Sequence, residues 1–171
     1  MNAYDYEQFV AELARQLVSR LNRDASAKVG CGGSNKTAGA SGFEHQIDVS
    51  VCTPYRMLLI ECKYWNGKID PEATLAFAAR VLDIRAAHEG REVTGRIVTT
   101  HRVTPGVCQI ADYFDLGVDI VSSTQEYAIQ IWNYVGIGLT ERAIAIDEFI
   151  VNVLKSSNRT ETVRNRHIRG E

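Results

Sequence analysis

Residues 45–65 read HQIDVSVCTPYRMLLIECKYW, and the predicted fold is organised around this segment. It holds two runs of strand-forming residues, 46–51 and 57–62. The dipeptide Thr53-Pro54 between the two runs is a turn signal. The stretch therefore predicts two antiparallel strands that are joined as a hairpin.

The predicted hairpin carries two acids and an amine that can converge. Asp48 lies on the first strand, and Glu61 and Lys63 close the second. Because side chains alternate along a strand, Glu61 and Lys63 should share one face, with Cys62 on the other. A carboxylate after the apolar run 58–60 needs partners that offset the cost of its burial. Asp48 and Glu61 could supply oxygen ligands to an ion such as Mg²⁺, with Lys63 beside the metal-bound water.

The pattern D-x12-ExK, formed by Asp48 and the tripeptide 61–63, resembles the PD-(D/E)xK nuclease motif, with Ile47 in place of the proline. The resemblance implies metal-dependent hydrolysis of phosphodiester bonds, with Mg²⁺ or Mn²⁺ as cofactor. In that mechanism Asp48 and Glu61 hold the ion, and the backbone carbonyl of Cys62 adds a ligand. Lys63 orients the attacking water and offsets charge in the transition state.

Three further segments resemble the Mrr-type restriction endonucleases. They are YEQFV at 6–10, GFEHQIDV at 42–49 and the region 93–121, where a strand ending in Thr-Thr precedes a Thr-Pro-Gly helix start. The resemblance covers roughly residues 4–121. It implies an α/β fold with a restriction-endonuclease-like core of order αβββαβ, a mixed central sheet flanked by helices, and extra C-terminal helices. It also implies that DNA is the substrate and that Glu7 faces the active site, whereas periodicity alone makes Glu7 an exposed first-turn acid.

Local patterns predict the other elements of this core. Apolar residues at three- and four-residue steps predict an amphipathic helix over 3–23. A second helix over 71–88 should have Asp70 as its N-cap and a proline at its first position. A strand over 93–100, a helix from Pro105 and a strand over 117–121 then predict a right-handed parallel crossover.

The segment 28–42, KVGCGGSNKTAGASG, holds five of the thirteen glycines and is predicted to be a loop. Its backbone amides and Lys36 could contact DNA phosphates, and a flexible connector is the alternative. His45 and Gln46 are further candidates for DNA contact. A lone histidine is more often structural, whereas Gln46 should share the face of Asp48.

Several polar side chains of the second half remain outside the motif. Thr99, Thr100 and His101 lie at the carboxyl end of a predicted strand, near where ligands bind in such sheets. Arg80 and Arg85, on the predicted second helix, are interpreted as solvated charges.

The core is expected to end near residue 122. The apolar helix-forming segment 123–155 is predicted to form two helices that pack on the core or create a homodimer interface. The basic segment 156–171 is predicted to be a flexible tail that could contact phosphates without specificity.

Composition bounds the cellular setting. The chain has 171 residues, of which 45% are hydrophobic, enough for the core of one domain. Its net charge is -2, so only a local basic face could bind nucleic acid. Its four cysteines are widely spaced and form no CxxC pair, which favours reduced thiols in a cytoplasmic protein. No apolar run approaches the roughly 18 residues of a membrane span, so no membrane partner is expected.

Three functions stay open at this point. The resemblance implies an endonuclease that cuts DNA. A structure-selective nuclease is the second, because archaeal Holliday-junction resolvases show a similar order of helix acid, Asp and ExK. The third is a noncatalytic module of the same fold that binds DNA or dimerises, with its acids solvated or salt-bridged to Lys63.

Overall fold

The computed structural model describes four segments of the chain, residues 2–21, 28–64, 69–100 and 102–121. They belong to the first of two units into which the chain divides, Met1–Ser122. The helices predicted for 123–155, the tail predicted for 156–171 and His101 lie outside the described residues.

The described residues form three helices and seven strands. The helices are α1 (Ala3–Leu21), α2 (Pro71–Ala87) and α3 (Pro105–Tyr113). The strands are β1 (Lys28–Cys31), β2 (Lys36–Ala38), β3 (Glu44–Gln46), β4 (Val49–Cys52), β5 (Arg56–Lys63), β6 (Glu92–Thr99) and β7 (Leu116–Ile120). None of these helices is long and apolar enough to cross a membrane.

Five strands form one mixed sheet in the order β1-β4-β5-β6-β7, and β2 pairs with β3 in a separate two-stranded sheet. Strands β4 and β5 form the predicted antiparallel hairpin, with Val49 opposite Ile60 and Cys52 opposite Met57. Strand β6 runs parallel to β5 and to β7, and α2 and α3 make the two connections. The predicted mixed α/β fold, with helices beside a mixed sheet, is confirmed.

The prediction of one continuous strand over 46–51 is wrong. Strand β3 ends at Gln46, β4 begins at Val49, and the two strands belong to different sheets. The chain leaves one sheet for the other at Ile47 and Asp48, so alternation along a strand no longer places Gln46 and Asp48 on one face. Apolar and polar residues alternate through this break, which is why the sequence did not reveal it.

The prediction of a loop over 28–42 is also wrong, because this segment contains β1 and β2. Strand β1 is the edge strand of the main sheet and pairs antiparallel with β4, with Val29 opposite Val51. Glycine is disfavoured in strands, but the backbone hydrogen bonds to β4 outweigh that local preference. The pairing joins residues about twenty positions apart, which local patterns do not report.

Helix α2 packs closely on strand β6 of the main sheet. Asp70 caps its first turn, since its Oδ1 accepts a hydrogen bond of 2.9 Å from Glu72 N, as the sequence predicted. Phe77 and Val81 of this helix are fully buried against β6. At Gly95 of β6 a Cβ atom would lie 2.6 Å from Val81 Cγ2, so only a glycine lets the helix come this close.

We expect Gly95→Ala to lower the free energy of unfolding by roughly 1–3 kcal/mol, because the added methyl overpacks the contact between α2 and β6. Gly33→Ala is the matched control, since no atom lies within 4 Å of a Cβ placed there. Urea unfolding followed by circular dichroism measures both changes. Equal stability of the two variants would contradict this account of the packing.

Candidate active site

Asp48 and the end of β5 meet where β4 begins. Asp48 directly precedes β4, and the pairing of Val49 with Ile60 carries it alongside Glu61 and Cys62. Its Oδ2 accepts a hydrogen bond of 2.8 Å from the backbone N–H of Cys62. The carboxylate is thus fixed to the neighbouring strand, beside the second acid of the motif.

Glu61 is held by two cations. It is buried, with 6% of its surface exposed. Lys63 Nζ donates to Glu61 Oε1 at 2.7 Å, so both side chains lie on one face of β5. Arg80 Nη1 donates to Glu61 Oε2 at 3.3 Å from α2. Both carboxylate oxygens therefore have a cationic partner, which offsets the cost of burying the charge.

The interpretation of Arg80 and Arg85 as solvated charges is wrong. Arg80 contacts Glu61, and Arg85 Nε donates to the carbonyl oxygen of Val93 at 3.1 Å. Arg80 lies three residues after the buried Phe77, on the turn that faces the sheet. That helical spacing was the signal in the sequence that could have placed Arg80 near the site.

Glu7 lies on α1 and is half-buried. Burial raises its pKa above the ordinary value, repulsion from Glu61 raises it further, and the charge of Lys63 opposes the shift. Glu7 is half-buried, so it does not lie on a fully solvated face of the helix. Its place in the active site stays a prediction.

The site crowds negative charge. Burial and then repulsion from Glu61 raise the pKa of Asp48 from its ordinary 3.8 to about 6, against the stabilising hydrogen bond from the Cys62 amide. Glu7 adds to the increase, and Lys63 lowers it. The pKa of the Cys62 thiol is also raised, first by burial and then by Asp48. Such mutual repulsion among carboxylates is relieved when a cation binds between them.

The donor set fits a magnesium-type ion better than a closed metal cage. In the described part of the chain, no group of three or more His, Cys, Asp and Glu side chains is arranged to hold a metal. Mg²⁺ needs only one or two carboxylates because it keeps several waters. Asp48, Glu61 and the carbonyl of Cys62 meet that need. An ion bound to Glu61 would have to replace one of its cationic partners, Lys63 or Arg80.

The three candidate DNA contacts lie on the small sheet. Lys36 and Gln46 are exposed and stand opposite each other on β2 and β3. His45 is half-buried, and its Nε2 lies 2.7 Å from Asp83 Oδ2 on α2. His45 therefore fastens the small sheet to the helix, while DNA contact by the other two side chains stays a prediction.

Asp83 anchors this sheet through several bonds and was not singled out from the sequence. Its Oδ1 accepts from Ser41 N at 2.8 Å and its Oδ2 from Ser41 Oγ at 2.6 Å. The backbone N–H of Ala40 donates to the carbonyl oxygen of Asp83. The Ser41 hydroxyl, then His45, then the Ser41 amide lower the pKa of Asp83 from 3.8 to about 2.

Comparison with known proteins identifies the fold through solved structures. No protein-family model and no curated protein match the chain. It is similar to Can2 from Sulfobacillus thermosulfidooxidans in complex with cyclic tetra-adenylate, with 18% identity and a TM-score of 0.51. That match covers 74% of this chain but only 35% of the Can2 chain.

Two restriction endonucleases are also similar. MspJI in complex with a 27-mer oligonucleotide shows 16% identity and a TM-score of 0.40, and the match covers 89% of this chain and 33% of MspJI. The small subunit of the heterodimeric enzyme R.BspD6I shows 15% identity and a TM-score of 0.37, with 90% and 89% covered. Of these three likenesses, the one to Can2 has a TM-score above 0.5, and all three identities are too low to indicate a shared function.

Asp48→Asn should stabilise the protein near neutral pH. Because the pKa of Asp48 rises from 3.8 to about 6 on folding, its contribution to stability is present below about pH 4 and is lost as the pH rises through 6. Ionised Asp48 thus lowers stability at pH 7, whereas an asparagine can still accept the Cys62 hydrogen bond. We expect a gain of roughly 1–3 kcal/mol at pH 7 and little gain at pH 4.

Urea unfolding at the two pH values measures this gain, with the exposed Asp112→Asn as control. A gain of the same size at pH 4 and pH 7 would show that Asp48 is not under electrostatic strain.

Asp83→Asn should have the opposite effect. A lowered pKa means that the ionised side chain stabilises the fold above about pH 4, and that this contribution is lost as the pH falls through about 2. We expect the variant to melt a few degrees below the wild type at pH 6, with the difference shrinking as the pH falls from 4 to 2. Thermal melts across this range, with Asp112→Asn alongside, test the contribution. A difference that is constant with pH would refute it.

Proposed function

We propose that this protein is a metal-dependent endonuclease of the Mrr type that hydrolyses phosphodiester bonds in DNA. The observation that carries the proposal is the meeting of Asp48, Glu61 and Lys63 at the junction of β4 and β5. We include Glu7, a half-buried acid of α1, as a further member of the site. Acids on adjacent strands with an amine beside them are the parts that this chemistry requires.

Each side chain has a role in the proposed reaction. Asp48, Glu61 and the carbonyl of Cys62 would hold Mg²⁺ or Mn²⁺, which when bound polarises the scissile phosphate and acidifies a water. Lys63, placed 2.7 Å from Glu61, would orient the attacking water and offset the charge that develops on the phosphate. Glu7 would hold a second ion or its water.

The remaining features of the proposal concern partners and setting. We also include Lys36 and Gln46 as contacts to the DNA backbone, which their exposure on a sheet that leads directly into Asp48 supports. We include a homodimer, in which two sites would cut both strands of a duplex, and a cytoplasmic location, where the cysteines stay reduced.

A noncatalytic DNA-binding module is the second candidate. The observation that favours it is the pairing of Glu61 with both Lys63 and Arg80, which satisfies the carboxylate without a metal. In that case the acids and their cations would only stabilise the fold. The two candidates differ in whether the protein cuts the DNA that it binds.

A cleavage assay separates the candidates. Purified protein is incubated with supercoiled plasmid, linear duplex or branched DNA, each with Mg²⁺, Mn²⁺ or EDTA. We expect cutting with either metal and none with EDTA. Lys63→Ala should cut about 100- to 1000-fold more slowly, because it removes a positioned charge from the transition state. Lys28→Ala, at an exposed lysine of β1, should cut like the wild type.

The alternative outcomes are equally distinct. A mobility shift without cutting would favour the binding module, and cutting of branched DNA alone would indicate a structure-selective nuclease. Cutting that persists at the wild-type rate in Lys63→Ala would refute the proposed mechanism.

A further inference from the structure

Asp48 lies in a break between two sheets, where no regular strand pairing is available on both sides. Strand β3 ends at Gln46, and β4 begins at Val49. The backbone of Ile47 and Asp48 must therefore find its hydrogen-bond partners elsewhere. The position of the Asp48 carboxylate depends on those partners.

Asn35 supplies the partners on one side of Asp48. Its Nδ2 donates to the carbonyl oxygen of Ile47 at 2.7 Å. The backbone carbonyl oxygen of Asn35 accepts a hydrogen bond of 3.0 Å from Ile47 N. The Ile47 carbonyl belongs to the peptide bond that joins Ile47 to Asp48. The side-chain amide of Asn35 therefore fixes the orientation of that peptide plane.

The same turn also holds the chain after Asp48. Ser50 Oγ, on the buried side of β4, donates to Asn35 Oδ1 at 2.9 Å. Gly32 N donates to the carbonyl oxygen of Asp48 at 3.3 Å, and Asn35 N donates to the carbonyl oxygen of Gly32 at 2.9 Å. One short turn thus braces the backbone on both sides of the acid.

Strand β1 is shaped to receive this amide. Gly30 stands opposite Ser50 in the pairing of β1 with β4. A Cβ atom at Gly30 would lie 2.2 Å from Asn35 Oδ1 and 2.8 Å from Ser50 Oγ. Only glycine therefore leaves room for the Asn35 side chain, which gives a second and independent way to disturb it.

We infer that Asn35 is the positioning residue for Asp48 in the nuclease reaction. The inference rests on the proposed function. Asn35 fixes the peptide plane that precedes Asp48. The Asp48 carboxylate therefore keeps its hydrogen bond to the Cys62 amide and stays beside Glu61. A displacement of about 1 Å at a reacting centre can cost on the order of 100-fold in rate, so losing this brace should slow catalysis without removing any charged group.

Two variants test the inference by different routes. Asn35→Ala removes the amide, and Gly30→Ala displaces it while leaving Asn35 in the chain. Gly33→Ala, in the same turn region but with open space around it, is the control for Gly30→Ala. For each protein we would measure kcat and KM for plasmid cleavage with Mg²⁺, and the melting temperature.

Amide hydrogen exchange in metal-free protein supplies a readout that does not depend on activity. It compares Cys62 N–H, which bonds Asp48, with Leu59 N–H in the middle of β5. We expect both variants to lower kcat by about 10- to 100-fold with KM little changed. The Cys62 amide should lose more protection than the Leu59 amide. Both variants should stay folded in the assay, with melting temperatures lowered by a few degrees because each disturbs the hydrogen bonds of Ile47 and Ser50.

The contrary outcomes are specific. Unchanged exchange at Cys62, or a wild-type kcat despite faster exchange there, would overturn the inference. So would equal loss of protection at Leu59, since Asn35 would then stabilise the sheet as a whole and not position Asp48. A wild-type protein that cuts no DNA would refute the proposed function, and Cys62 exchange would still show whether Asn35 positions Asp48.

Discussion

The hydrogen bond from the Cys62 amide to the Asp48 carboxylate joins the two halves of the candidate site. It follows from one register, Val49 opposite Ile60, in the hairpin that β4 makes with β5. The same register sets Asp48 beside Glu61, whose charge is buried and held by Lys63 and Arg80. A slip of β4 by one residue against β5 would take Asp48 away from Glu61 and from the Cys62 amide. The site therefore depends on this register together with the turn around Asn35, which holds the backbone on both sides of Asp48.

Helix α2 braces both acids at once. It lies close to the sheet because Gly95 offers no side chain, and from that position it presents Arg80 to Glu61. One turn further along, Asp83 holds the small sheet that leads into Asp48. The helix is thus a common frame for the two strands. The packing of α2 on the sheet therefore also determines where Arg80 and Asp83 lie.

An ionised acid of the site lowers the stability of the fold near neutral pH. Burial and repulsion raise the pKa of Asp48 to about 6, so its ionisation lowers the stability of the folded protein near neutral pH. A group that only supported the fold would show the reverse shift, as Asp83 does with a pKa of about 2. Perturbed acids in a cluster are typical of functional sites. Since the likeness to Can2 shows only the fold, the proposed function is based on the chemistry of this cluster.

The sequence alone was sufficient to predict the features that depend on residues close together in the chain. Alternation along β5 placed Glu61 and Lys63 on one face, the Asp70-Pro71 start fixed the beginning of α2, and strand-helix-strand order gave the parallel crossover. Only the tertiary structure decided the break before Asp48, the strand within the glycine-rich segment, and the contacts of Arg80 and Asn35. These features depend on partners that are distant in the chain, 19 positions apart for Arg80 and Glu61 and 12 for Asn35 and Ile47. Local residue preferences carry no record of such partners, because they appear only when the strands have paired and the helix has packed.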